Sequence, residues 1–131
     1  NVRLVPSTRQ PLRVVIDPNQ RIDAKAQLLA DEGETLLMQN NFTGLNSLLH
    51  QLADREIQRV LVEGGPTTVH RFLDEGLVDE VFLIHSEVVH QEPYEAGLDA
   101  ELLAKSGLML AEEYVWGEER VEHYLRTPTS A

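Results

Sequence analysis

Arg59-Val60-Leu61-Val62-Glu63-Gly64-Gly65-Pro66-Thr67-Thr68-Val69-His70-Arg71-Phe72-Leu73 decides how the 131-residue chain is read. Val60, Leu61 and Val62 form a short apolar run that predicts a strand buried on both faces. Pro66 suits the first position of a helix, where its missing N–H costs nothing. Val69, Phe72, Leu73 and then Leu77 recur at helical spacing and predict an inward-facing stripe. The unit is therefore strand, Glu-Gly-Gly corner, helix. Two glycines let the backbone take angles closed to other residues and let a ligand approach bare main chain. The first helical turn beyond them offers unpaired N–H groups and a partial positive charge, which suits a phosphate. Glu63, at the carboxyl end of the strand, is expected to face the crevice where open α/β sheets bind ligands. A tight strand-to-helix turn without a ligand is the plainer reading of Gly-Gly taken alone.

Upstream, Leu12 to Ile16 predicts a second buried strand, ended by the turn signal Asp17-Pro18-Asn19-Gln20. Ala24 to Ala30 predicts a short helix, and Glu34 to Met38 a third strand. Thr43 is the expected N-cap of an amphipathic helix carrying Leu45, Leu48, Leu49 and Leu52, which stops near Arg55-Glu56. Downstream, Asp79 to Ile84 predicts a strand, and residues 86–100 read as irregular and acidic. Leu108 to Trp116 and Glu119 to Arg126 predict a hairpin turning at Gly117-Glu118, with Leu110, Tyr114 and Trp116 on one face as core or dimer contact. Helices alternating with buried strands before a terminal hairpin predict one domain over residues 1–131, an α/β mixed sheet covered on both faces. If the strands before Asp17 and Glu63 run parallel, both corners open on one edge and a dinucleotide can lie across them.

Composition narrows the function. Residues 1–73 hold eight acidic and eight Lys/Arg side chains, whereas residues 74–131 carry the whole net charge of −11. No basic face is available for nucleic acid. No apolar run is long enough to span a membrane, and zero cysteines exclude disulfides and a cysteine nucleophile, which fits a cytoplasmic protein. The five histidines show no metal-ligand spacing, so no metal is expected. No serine lies in a Gly-x-Ser-x-Gly elbow. Glu112-Glu113 and Glu118-Glu119 alternate across their strands and make no paired-carboxylate site.

Val60-Leu61-Val62-Glu63-Gly64-Gly65-Pro66-Thr67, followed by Phe72-Leu73-Asp74-Glu75-Gly76-Leu77-Val78-Asp79-Glu80-Val81, resembles the reductase half of the bifunctional riboflavin-biosynthesis deaminase/reductase family. Pro11 to Asp17, with Arg21-Ile22, is similar to that family's third strand and exit loop. The resemblance covers roughly residues 1–85. It implies a dihydrofolate-reductase-like fold and an NADPH-dependent reduction of the ribose of 5-amino-6-(5-phosphoribosylamino)uracil to the ribitylamino product. Gly64 and Gly65 would then meet the cofactor pyrophosphate, with Thr67 and Thr68 as helix-end donors. Asp17, Asn19 and Arg21 would lie near the adenosine ribose and its 2′-phosphate. Glu63 would face nicotinamide and substrate as the catalytic residue, and Arg3 would hold the substrate phosphate. The resemblance also implies a homodimer and a parent chain fused to a deaminase domain.

The sequence departs from the family at three places. Pro18 stands where serine is common, which leaves NADPH against NADH open. Ser86-Glu87-Val88-Val89 replaces a proline-initiated segment. Glu56 holds a helix-end position where glycine is common, and a left-handed conformation there costs about 1 kcal/mol. The family's reductase domain also has two strands and a helix ahead of the point matching residue 1. The chain is accordingly expected to be an incomplete piece of a longer polypeptide, lacking a complete active site alone. A reductase of another pyridine or pterin substrate, or a non-catalytic nucleotide-binding domain, are the alternatives.

Overall fold

A computed structural model of the chain describes residues 9–23, 33–63, 65–86 and 97–128. They fall into two compact units, Asn1–Ile57 and Gln58–Ala131, each described by itself.

In the first unit, β1 (Arg13–Ile16) and β2 (Thr35–Met38) pair in parallel, Arg13 opposite Thr35 and Ile16 opposite Met38. Alternation puts Val14, Ile16, Leu36 and Met38 on one face. There they meet the leucine stripe of α1 (Leu45–Asp54), and Met38, Leu48 and Leu52 are buried together. The helix begins one residue later than expected. Its N-cap is Gly44 at φ 133°, and Thr43 instead donates its hydroxyl to Ser47 Oγ at 3.0 Å. At the other end, Ile57 N–H donates to Leu52 O and Glu56 N–H to Ala53 O, the paired bonds of a Schellman ending. Glu56 takes the left-handed position of that motif at φ 62°, as expected of a helix end where glycine is common. The expected helix Ala24–Ala30 lies outside the described residues.

The second unit corrects the reading of its first residues. Val60, Leu61 and Val62 form no strand and join neither sheet; Leu61 is 81% exposed and Val60 45%. An apolar β-branched run becomes a strand only where a neighbouring backbone and packed side chains receive it, and among the described residues none does. The helix that follows is as expected: α2 (Pro66–Asp74) has Pro66 at its start and Phe72 and Leu73 buried. It ends at Gly76, φ 69°, with Leu77 N–H on Phe72 O and Gly76 N–H on Leu73 O. β3 (Glu80–His85), β4 (Leu108–Trp116) and β5 (Glu119–Arg126) form an antiparallel sheet in the order β3-β5-β4. The hairpin has the predicted ends and turns at Gly117, φ 65°.

Sequence reading missed α3 (Ala100–Lys105), a six-residue helix inside the stretch around residue 100. Its signals are local: Asp99 Oδ1 accepts from Leu102 N–H at 2.8 Å, Glu101 lies in the first turn and Lys105 in the last. Leu103 of α3, Leu73 of α2, Leu108 of β4 and Tyr124 of β5 make the buried core, joined by Val69, Val81 and Leu83. Arg126 Nε donates to Val78 O at 2.9 Å and ties the last strand to the α2–β3 connection.

The expected common face of Leu110, Tyr114 and Trp116 is also corrected. A register shift between Leu110 and Glu112 places Leu110 opposite Tyr124 but Tyr114 opposite Val121. Tyr124 and Val121 are three residues apart and point to opposite sides, so the extra residue, Ala111, moves Tyr114 and Trp116 to the other face. That second face of the sheet bears exposed Phe82, Ile84, Met109, Trp116 and Leu125.

Candidate functional site

The first corner closes on itself. Because β1 and β2 run in parallel, their carboxyl ends meet, and Asp17 N–H donates to Met38 O at 2.8 Å. The chain then turns back under the Asp17 carboxylate. Oδ1 accepts Arg21 N–H at 2.9 Å and Oδ2 accepts Ile22 N–H at 3.0 Å, with Gln39 Nε2 at 3.2 Å. These donors, the Ile22 N–H first and the Arg21 N–H next, favour the ionised form and hold the Asp17 carboxyl below its ordinary range. Gln20 passes through the left-handed region at φ 53°, and its amide donates to Asn40 Oδ1 at 2.9 Å. Asn19 and Arg21 are exposed on the rim of this turn. Gln39 and Asn40 were not singled out in the sequence; the polar run Gln39-Asn40-Asn41 directly after β2 is the signal that could have found them.

The second corner is open. Gly65 is the N-cap of α2 at φ −66° and ψ 166°, and no side chain caps the helix. These angles are available to any residue, so glycine is not needed at 65 for its conformation. Space is the difference: among the described residues, a Cβ at Gly65 would meet nothing within 4 Å. The amide groups of the first turn, at Thr67 and Thr68, are those a helix leaves unpaired. Thr67 is exposed, Thr68 half-buried, and Glu63 exposed just ahead of the corner. Such a helix start, uncapped by any described side chain, fits the pyrophosphate of a dinucleotide, whose charge suits main-chain donors and the helix field. Gly64 and Arg3 lie outside the described residues.

Unit two also carries a polar cluster that sequence reading passed over. The Glu122 side chain, 14% exposed, receives His85 Nε2 and lies 3.3 Å from Arg120 Nη1 on Oε1, while Tyr124 Oη donates to Oε2 at 2.6 Å. Arg120 Nη1 also donates to Glu113 Oε1 at 2.9 Å. The Tyr124 hydrogen bond, then those of His85, lower the Glu122 pKa against its burial. The same bond and burial push Tyr124 up to about 12. Arg120, Glu122 and Tyr124 alternate along one face of β5, but His85 joins them only through the β3-to-β5 register and Glu113 through the β4-to-β5 register, which nothing local in the sequence announces. Among the described residues no group of three or more His, Asp or Glu could hold a metal ion, and no helix is long and apolar enough to cross a membrane.

Comparison with known proteins bears on these corners. The family described as RibD C-terminal domain matches residues 1–89. The chain is 31% identical to the riboflavin biosynthesis protein RibD of Aquifex aeolicus over 61% of this chain and 28% of that one. It is 27% identical to the 2,5-diamino-6-ribosylamino-4(3H)-pyrimidinone 5′-phosphate reductase of Archaeoglobus fulgidus, over 60% of this chain and 46% of that one. Among solved structures, Acinetobacter baumannii RibD superposes with a TM-score of 0.71 at 22% identity, covering 88% of this chain and 37% of that one. A Thermotoga maritima diaminohydroxyphosphoribosylaminopyrimidine deaminase/5-amino-6-(5-phosphoribosylamino)uracil reductase does so with a TM-score of 0.71 at 19% identity, over 91% of this chain and 38% of that one. At such identities the structural likeness establishes the fold, and it is the mixed α/β fold of these RibD structures. The chain spans less than half the length of these curated relatives. The family match covers the first corner, the glycine corner and β3 together, and the chain belongs to the RibD C-terminal domain family.

Proposed function

We propose that this chain is the cofactor-facing part of an NADPH-dependent reductase of riboflavin biosynthesis, reducing the ribose of 5-amino-6-(5-phosphoribosylamino)uracil to the ribitylamino product. The observation that carries the reading is the open helix start at Gly65, in a chain whose relatives include a named reductase. Gly65 with Gly64 receives the pyrophosphate, and the Thr67 and Thr68 amides donate to it. Asn19 and Arg21, exposed beside the Asp17 turn, meet the adenosine ribose and its 2′-phosphate. Asp17 serves that contact by holding the turn, since both its oxygens accept from main chain. Glu63 orients nicotinamide and substrate, and Arg3 takes the substrate phosphate. Bound NADPH supplies the hydride, and the protein's share is position and exclusion of water.

The proposal includes a homodimer, a cytoplasmic location and a deaminase domain as covalent partner. Support for the dimer is the second face of the three-stranded sheet, where Phe82 and Ile84 are each 52% exposed and Trp116 70%. Contiguous apolar surface of that kind marks an interaction site. The test is a titration of the chain with NADPH, read by thermal shift, followed by NADPH oxidation on addition of the phosphoribosylaminouracil. A rise in the melting temperature of the chain is expected, and turnover when it is joined to the proposed deaminase-bearing parent polypeptide. An unchanged melting temperature at millimolar NADPH overturns the reading.

A further inference from the structure

β3 and α2 are joined by the tight turn at Gly76, so they run antiparallel against the same core. Val69 and Leu73 of the helix and Val81 and Leu83 of the strand belong to that core. One turn further along the helix is its open start at Gly65; two residues further along the strand, on the same face, is His85. The end of β3 that carries His85 is thus the end toward which the bare helix start points.

His85 is held there as an acid–base group is held. Its Nε2 is on Glu122, which fixes the ring and leaves Nδ1 as the second nitrogen, on a side chain 41% exposed. Glu122 is itself fixed on three sides, by Tyr124 Oη, by Arg120 and by the imidazole. Arg120 is anchored in turn by Glu113 of β4. A carboxylate that orients a histidine, and is oriented by further donors, is the arrangement that proton-transfer sites need. An exposed ion pair that merely joined two strands would need none of the Tyr124 and Arg120 contacts.

We propose that His85, oriented by Glu122, is the proton donor of this reductase, which rests on the function read above. When C1′ takes the hydride of the dihydronicotinamide, the bond from C1′ to the ribose ring oxygen breaks. The electron pair of that bond takes the proton of the His85 imidazolium, leaving a neutral imidazole and the ribityl hydroxyl. Glu122 and Tyr124 are positioning residues, and of these three only His85 touches the reacting atoms.

The test uses the chain joined to the proposed deaminase-bearing parent polypeptide. His85→Gln is expected to lower kcat about 100-fold. NADPH affinity and melting temperature stay as in the wild type, whereas Glu122→Gln gives a smaller loss of kcat. Independently of turnover, adding the ribitylamino product without cofactor is expected to move the imidazole ¹⁵N resonances of His85 in the wild-type chain. Wild-type turnover retained in His85→Gln, or His85 resonances that do not move with product, overturns the proton-donor role and leaves the cofactor reading standing. A wild-type chain that does not bind NADPH overturns both.

Discussion

The corner at Asp17 and the corner at Gly65 solve the same problem with opposite means. Both turn the chain at the end of an apolar run, and in both the backbone N–H groups past the bend need partners. At Asp17 the protein supplies them from its own side chain, whose two oxygens accept the Arg21 and Ile22 N–H groups. At Gly65 it supplies none, and the helix start stays bare. The contrast repeats where helices end. Both α1 and α2 finish in the same pair of Schellman hydrogen bonds, but α1 places Glu56 in the left-handed position and α2 places Gly76 there. A polar side chain at a bend satisfies the bend and so has little left for a ligand. A missing side chain leaves the donors to whatever binds.

The largest expected effect tests that difference directly. Gly65→Trp adds a bulky group where the angles suit any residue and nothing lies within 4 Å of the new Cβ, so folding is expected to be unaffected. The indole then covers the first-turn amides. NADPH affinity is expected to fall at least tenfold, about 1.4 kcal/mol, at unchanged melting temperature. Isothermal titration checks the first and a thermal melt the second. Undiminished affinity removes the pyrophosphate from this corner and ends the contrast.

Asp17→Asn is expected to do the reverse, harming the fold more than the ligand. The amide can replace only one of the two accepting oxygens, so the Ile22 or Arg21 N–H loses its partner. The effect depends on pH with a definite sign. The native pKa of Asp17 lies below its ordinary value, so its ionised form contributes stability above the unfolded value, and that contribution is lost as pH falls through the native one. Wild type and variant should therefore differ in melting temperature at pH 7 and converge as the pH drops below about 4. A difference that persists in acid would mean that the carboxylate charge is not what closes the turn.

These two corners also mark how far the sequence could be read. Elements with a strong period and local signals came through: the leucine stripe of α1, Pro66 and the stripe of α2, and both hairpin strands with the turn at Gly117. Val60–Val62 did not, because a buried run and an unpaired one have the same composition and differ only in whether a partner backbone is present. The face of Tyr114 and Trp116 was misjudged because one bulged residue, Ala111, inverts the alternation and leaves no mark in the residue pattern. At the site, glycine at 65 and the turn at Asp17 were legible as corners. That one is filled and the other bare is a matter of angles and distances. The His85–Glu122–Tyr124 cluster was beyond reach, since residues 37 positions apart met through strand register alone.

The smallest effect comes from the paired helix ends, where one backbone position is occupied by residues of opposite kind. Glu56 at φ 62° and Gly76 at φ 69° follow the same two hydrogen bonds, so exchanging side chain for none isolates the conformational term. A non-glycine residue in the left-handed region costs about 1–2 kcal/mol, and glycine returns roughly 0.4–1 kcal/mol of that through its freer unfolded chain. Glu56→Gly is therefore expected to stabilise by about 0.5–1 kcal/mol, and Gly76→Ala to destabilise by a similar amount. A Cβ at Gly76 would meet nothing within 4 Å, so the second change is free of steric interference. Urea unfolding of both variants, with m-values unchanged from wild type, is the measurement. Equal and opposite shifts mean that the α1 end tolerates strain its hydrogen bonds do not require. A loss in both variants would show that the Glu56 side chain makes a contribution larger than its backbone cost, and that the first unit uses side chains at its bends for stability as well as for shape.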